Sequence, residues 1–357
     1  MKKNILFLVL IISGATYGQQ TISLEDCQQF ISENYPLLKQ SKTFIKQNEF
    51  DTEILNSAKL PQFNLDGQLT YQSDVISVPI PGSTSLNKDQ YKTTISVNQL
   101  IFNGGLIDAN KQLKTAQLKT KQQQLTVQMY ALKKQVNQLY FSVLLAQESI
   151  LLIEAKNRLL QSKLKEIISG VKNGVLLASS DNILKVELLK NNQKLEEIIS
   201  AKKTLIATLS KLIAVTINED ALFKKPIIEV ALNNEIKRPE LDLFQLKKEE
   251  IESSVKLVSK KNAPTIMSFA TGGVGNPGLN MLDNSFQSYY IVGAKLHWTI
   301  FDWNSNKKER KSLSLNKEII NNEQAIFLLN TNIALHQQEK EIEKIKAFII
   351  SDQEIIN

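Results

Sequence analysis

The sequence holds little material for covalent or metal chemistry. Of its 357 residues, one is a cysteine and two are histidines. That excludes a disulfide framework and a zinc cage built from Cys and His, and it leaves little for a hydrolytic triad. Ser179-Ser180-Asp181 brings hydroxyls beside a carboxylate. No histidine stands near them in sequence, so the base that would activate a hydroxyl is missing. Cys27, in Leu24-Glu25-Asp26-Cys27, has no small-residue lipoprotein signal before it and reads as a helix-face residue without a lipid anchor. No catalytic, cofactor-binding or metal-binding residue is expected, and the chain is not read as an enzyme.

The informative residues are those whose pattern sorts water from apolar surroundings. Gly (13) and Pro (8) are scarce, and charged residues make up 22%, a composition of long helices with solvated faces. The net charge of +7 comes from 43 Lys and Arg against 36 Asp and Glu. No basic cluster is interleaved with aromatics, so the charge does not imply nucleic acid. At the N-terminus, Met1-Lys2-Lys3-Asn4 is followed by the apolar run 5–12 and the small-residue stretch Ser13 to Gly18. This is the three-part pattern of a secretory signal peptide, expected over 1–18 with cleavage after Gly18, Ala15 being the alternative. Beyond it no stretch is expected to reach the roughly 18 apolar residues of a spanning helix.

The mature sequence contains itself twice. Pro36 and Pro239 each open a helical stretch, Pro61 and Pro264 each close one, and both pairs are 203 apart. Further on, Gln99-Leu100-Ile101-Phe102-Asn103-Gly104 matches Trp298-Thr299-Ile300-Phe301-Asp302-Trp303 at a spacing of 199. Three landmarks in one order argue for a duplicated unit. Each unit reads helix, strand, loop, strand, helix. Residues 63–72 alternate, with Phe63, Leu65, Gly67, Leu69 and Tyr71 on one face and polar residues on the other. A second strand is expected over 91–102, with Ile95 and Val97 on its apolar face. In the second unit, strands are expected over 265–274, with Met267 and Phe269 sharing a face, and over 289–301, with Tyr290, Val292, Ala294, Leu296, Trp298 and Ile300 sharing one. The intervening 75–88 and 272–288 read as loops. Strands of this length and pattern suit a membrane barrel, and suit a half-buried soluble hairpin equally.

The helices are longer than a soluble hairpin needs. From Leu125 the series Met129, Leu132, Val136, Leu139, Val143, Ala146, Ile150 and Ile153 alternates spacings of four and three, and continues through Asn157, Leu160, Leu164 and Ile167. A seven-residue repeat sustained this long specifies a left-handed coiled coil. Residues 105–173 predict a helix of about 100 Å. A return helix over 181–213 carries a looser seam through Leu184, Leu188, Leu195, Ile198, Leu205, Leu209 and Leu212.

An exported, duplicated chain of this kind resembles the TolC family of outer-membrane exit ducts. The likeness rests on Ser23 to Leu37 as the opening helix and on Ala58 to Phe63 as the helix-to-strand junction. It rests also on Leu100 to Gly105 and Ile300 to Trp303 as paired strand-to-helix junctions, and on Asn173 to Asp181 as the tip of the helical hairpin. The resemblance implies a mainly α fold with a small β part. Long antiparallel coiled-coil helices form an α-helical barrel, and four membrane strands per chain build a twelve-stranded barrel in a homotrimer. It implies an outer-membrane location extending into the periplasm, lipid contact, and no cofactor. It implies passive conduction in a tripartite efflux pump or type I secretion system, with a periplasmic adaptor and an inner-membrane transporter as partners. The alternative is a soluble periplasmic coiled-coil adaptor or scaffold.

The organisation expected is a first repeat over 19–216, a linker or equatorial segment over 217–237, and a second repeat over 238–357. At the junctions Phe102, Asn103, Gly104, Gly105, Phe301, Asp302 and Trp303 are structural: Asn103 and Asp302 cap the following helices, and the glycines free the turn. Phe102, Tyr289, Tyr290, Trp298 and Trp303 are candidates for an aromatic girdle. At the tip, Gly174, Val175, Leu176, Leu177, Ala178, Ser179, Ser180 and Asp181 are the candidate adaptor-docking residues, apolar at a solvent-facing turn and capped by Ser179, Ser180 or Asp181. Adding 199 to the first tip places a second one beyond Asn357, so a truncated second hairpin is expected, with barrel strands intact and a tunnel that cannot seal.

Overall fold

The computed structural model describes residues 20–75, 87–175, 177, 180–227 and 235–356. The expected signal peptide, and Leu176, Ala178 and Ser179 of the tip, lie outside the described residues. The elements in chain order are β1 (Thr21–Ile22), α1 (Leu24–Asn34), α2 (Leu37–Ser57), β2 (Gln62–Tyr71), β3 (Asp89–Phe102), α3 (Leu106–Lys172), α4 (Ser180–Ile213), β4 (Leu222–Phe223), α5 (Pro239–Lys260), β5 (Thr265–Asn276), β6 (Gln287–His297) and α6 (Ser305–Ile356). The mainly helical fold with four long strands is therefore as expected. The chain forms two compact units, 1–39 with 128–235 and 40–127 with 236–357, each assembled from stretches distant in sequence.

The first unit is a helical hairpin closed at its base by a small core. Ser23 caps α1 reciprocally: its hydroxyl accepts from the Asp26 amide at 3.1 Å, and its own amide donates to the Asp26 carboxylate at 3.0 Å. α1 thereby presents Cys27 and Ile31, both fully buried, to Val136, Tyr140 and Val143 of α3 and to Ile206, Leu209 and Ile213 of α4. Burial pushes the Cys27 thiol up to about 12, which makes it an inert apolar side chain. Along the hairpin, every heptad residue named above on α3 from Met129 onward, and on α4, is buried or half-buried. The knobs face a partner helix, as the repeat requires.

The segment expected as a linker contributes to this core. β1 and β4 pair in parallel, Thr21 with Leu222 and Ile22 with Phe223, and Phe223, Ala221 and Ile217 are buried. Two-residue strands have no periodicity to betray them. One expectation needs correcting: α3 does contain a stretch long and apolar enough, by length and composition, to cross a membrane. Its apolar residues divide between this core (Val136, Val143, Leu144) and an exposed face (Leu145, Leu151, Leu152).

The second unit holds a four-stranded antiparallel sheet in the order β2-β3-β5-β6. Pro61 and Pro264 lie just beyond α2 and α5, which end at Ser57 and Lys260, because the residue before a proline disfavours helix. The strand boundaries depart from expectation in the second hairpin. Residues 272–276 extend β5 rather than opening the loop, and β6 stops at His297, leaving Trp298 and Ile300 outside it. α5 packs on the first half of α6, where Phe244 meets Phe327 at 5.8 Å and Lys248 donates to Gln324 at 2.8 Å. Further along α6, Leu335, Ile342, Ile345 and Ile349 are exposed.

Candidate functional site

The sheet sorts its side chains by face. Residues paired directly across an antiparallel ladder lie on one face. Leu65 pairs with Ile95, Ile95 with Gly272, and Gly272 with Tyr290. The same face gathers Phe63, Leu69, Tyr71, Val97, Ala270, Val292 and Leu296. Phe63, Leu65, Leu69, Tyr71, Tyr290, Val292 and Leu296 are each between 64% and 80% exposed. A register shift between Leu100 and Phe102 brings Phe102 opposite Ile266, onto the apolar face.

The opposite face carries Asn64, Asp66, Gln68 and Thr70 from β2, Lys92, Thr94, Ser96 and Asn98 from β3, and Lys295 and His297 from β6. Met267 and Phe269 stand on this polar face, so the apolar face of β5 is Ile266, Ala270 and Val274 instead. The Phe269 ring lies over Gly293, where a Cβ would come within 2.8 Å of it. Tyr289 is also on the polar face, with the Lys92 ammonium 5.6 Å from its ring centre. It therefore does not belong with the exposed aromatics Phe102, Tyr290, Trp298 and Trp303.

The two strand-to-helix junctions repeat one backbone shape with different residues. Gly104 and Gly105 have φ of 63° and 80°, and the residues 199 further on, Trp303 and Asn304, have φ of 54° and 59°. The left-handed region is open to glycine at little cost but strains a side chain such as tryptophan. At the first junction it is the Asn103 carbonyl, rather than its side chain, that accepts from the Leu106 amide at 3.1 Å. At the second, the Asp302 carboxylate accepts from the Asn306 amide at 2.9 Å and from the Asn262 side chain at 2.6 Å. The Asn306 amide and then Asn262 hold the carboxyl below the usual carboxylate range. Phe301 and Trp303 stack edge to face at 4.8 Å.

At the hairpin tip, α3 closes through the Val175 amide, which donates to the Gly170 carbonyl at 2.9 Å, with Gly174 at φ 73°. This is the glycine C-terminal motif in which the left-handed residue turns the chain back onto the last helical carbonyls. Val175 and Leu177 are each 77% exposed. Asp181 lies in the first turn of α4 and pairs with Lys185 at 2.7 Å. Nearer the base, a polar layer interrupts the hairpin seam: Asn157 donates to Asn192 at 2.8 Å, and Lys156 reaches Glu187 at 2.9 Å and Asn191 at 3.2 Å. Sequence reading marked only Asn157 of this layer. Among the described residues no group of His, Cys, Asp and Glu could hold a metal ion.

Comparison with known proteins gives the same picture from outside. Residues 29–175 match the family described as outer membrane efflux protein. No curated protein matches the chain in sequence. Among solved structures, the outer membrane protein VceC of Vibrio cholerae superposes with a TM-score of 0.62 at 14% identity, covering 86% of this chain and 75% of its own. The Campylobacter jejuni CmeC outer membrane channel gives 0.60 at 14% identity, over 86% and 68%. The open state of the Neisseria gonorrhoeae MtrE outer membrane channel gives 0.58 at 15%, over 83% and 68%. The fold is that of these channels, and the resemblance to the TolC family is borne out.

Proposed function

We propose that this chain is a subunit of an outer-membrane efflux channel, passively conducting substrates out of the periplasm. The observation that carries the reading is the four-stranded sheet, with large apolar side chains exposed across one face and amides, hydroxyls and charges, interspersed with Met267, Phe269 and Ile291, across the other. In water such a face is a liability. Against lipid it is what a barrel strand requires, and the polar face then lines the lumen. A soluble adaptor would have no use for it. Four strands with two free edges do not survive alone in a bilayer, where every backbone group must be satisfied. The sheet therefore closes with copies of itself, and three chains supply the twelve strands of a homotrimer.

The helical hairpin extends into the periplasm and ends at the Gly174 turn, where Val175 and Leu177 present an apolar surface to a periplasmic adaptor and, through it, to an inner-membrane transporter. Energy for export comes from that partner, because a water-filled duct needs no catalytic group of its own. The direct test is to express the full chain, fractionate the cells and wash the membranes with carbonate. The protein is expected in the carbonate-resistant outer-membrane fraction as a trimer. Recovery wholly in the soluble periplasm would defeat the channel.

A further inference from the structure

We infer that the lumen wall of this channel carries a subsite for amphipathic organic anions, in which Met267, Phe269 and Ile291 hold the apolar body and Lys295 the charged head. The inference rests on the channel reading above and specifies a class of cargo for it.

The site follows from the strand registers. On the polar face, Leu100 of β3 stands opposite Met267 of β5, and Met267 stands opposite Lys295 of β6. The next row on that face sets Phe269 opposite Gly293, and the row after it sets Thr271 opposite Ile291. Direct neighbours in such a ladder have Cβ atoms ~4.5–5.5 Å apart, and diagonal neighbours are within reach of aromatic and long side chains. Leu100, Met267, Phe269 and Ile291 are therefore one patch rather than scattered exceptions, and Lys295 borders it.

The patch is open and its parts are placed. Met267 and Ile291 are 38% and 42% exposed, and Lys295 is exposed. The Phe269 ring reaches across to Gly293, where a Cβ would lie 2.8 Å from its Cζ atom. Gly293 thus leaves room for the ring between Ile291 and Lys295. In a water-filled duct exposed apolar side chains are unfavourable, and the same face is lined elsewhere by Thr94, Ser96 and Thr271. Apolar area left open beside a cation fits a ligand that has both characters, and the flexible thioether of Met267 adapts to bodies of different shape.

Charge decides the sign of that ligand. The polar faces of β3, β5 and β6 carry Lys92 and Lys295 and no carboxylate, and β2 adds a single one, Asp66. Asp66 pairs with Thr94. Along β3 from Thr94 to Leu100 is ~20 Å at the rise of a strand, beyond the ~8 Å Debye length at physiological ionic strength. Copies set around the barrel repeat two lysines for each aspartate, so the wall stays net positive. An organic cation would meet Lys295 as a like charge, and an inorganic anion would leave the apolar residues unused.

The test is photolabelling of the full chain in isolated membranes with 5-azidonaphthalene-1-sulfonate, mapped by mass spectrometry. Label is expected on the lumen-facing Met267, Phe269 and Ile291 rather than on the lipid-facing Ile266, Ala270 and Val292. Naphthalene-1-sulfonate should compete, whereas 1-naphthyltrimethylammonium and inorganic sulfate should not. Lys295→Gln and Phe269→Ser, compared at equal amounts of membrane trimer, are each expected to label about five-fold less. If Phe269→Ser fails to insert, Lys295→Gln and the competitors decide alone. Label confined to the lipid-facing residues, no label on a membrane trimer, equal competition by the cation, or full labelling of Lys295→Gln would each overturn the site. Recovery of the unsubstituted chain wholly in the soluble fraction would instead remove the channel reading, and the site with it.

Discussion

The Tyr140 hydroxyl lies 2.6 Å from the carbonyl oxygen of Lys224 and 3.0 Å from that of Ile22, so one side chain on α3 ties down both strands of the small parallel pair. Burial pushes its phenol up to about 12, and it stays a donor throughout the physiological range. Tyr140→Phe keeps the ring against Phe223 but leaves the Lys224 carbonyl without this donor. The expected loss is about 1–3 kcal/mol, seen as a lower melting midpoint of the detergent-solubilised protein. Tyr140→Ala also empties the ring site and should cost about 3–5 kcal/mol.

Gly104 and Gly105 separate two effects of a side chain. Both have left-handed φ, but a Cβ at Gly105 meets open space, whereas one at Gly104 runs into Ala263. Gly105→Ala should cost only the left-handed penalty of about 1–2 kcal/mol. Gly104→Ala must also push the β3 and β5 junctions apart, and should visibly reduce the amount of trimer recovered from membranes while Gly105→Ala does not.

A single arginine should report which sheet face meets lipid. Val292→Arg places the charge on the apolar face, and a lipid-facing arginine near mid-membrane costs about 2–4 kcal/mol. Gln68→Arg places it on the polar face. Membrane-inserted protein is expected to fall for the first and to hold for the second, measured by carbonate-resistant yield.

The Asp302 cap makes a pH-dependent contribution of known sign. Its carboxyl is held low by the Asn306 amide and Asn262, so the stabilisation is complete above its unfolded value of about 3.8–3.9. It is lost as pH falls through the lower folded value. Asp302→Asn removes the titrating group. Its melting midpoint should therefore fall less than that of the unsubstituted protein between pH 4 and pH 2, relative to each protein's own value at pH 6.

Val175→Asp/Leu177→Asp changes only exposed residues at the tip. The double variant should insert and form trimers normally, but lose cross-linking to the adaptor and export in cells. Unchanged adaptor cross-linking would reduce these residues to a turn.

Element types and most boundaries were legible because they rest on periodicity, which is local. The heptad series from Met129 to Ile167 states its buried face without help. The prolines at 61 and 264 and the glycines at 104 and 174 punctuate the chain by their own backbone chemistry. The sum of the repeat offsets found from landmarks, 203 and 199, recurs as the displacement between the two hairpin registers. What required tertiary structure is whatever depends on a partner distant in sequence. Met267 and Phe269 look like an apolar face of β5, yet the ladder with β3 and β6 sets them among polar neighbours, because pairing rather than composition decides which side of a strand meets which medium. β1 and β4 are too short to carry a pattern, and α3 holds them through the Tyr140 hydroxyl and the Gln147 side chain. Trp303 takes a left-handed turn that its own type disfavours, whereas Asn304 tolerates that region, so only the folded chain reveals that the second junction copies the backbone shape of Gly104 and Gly105.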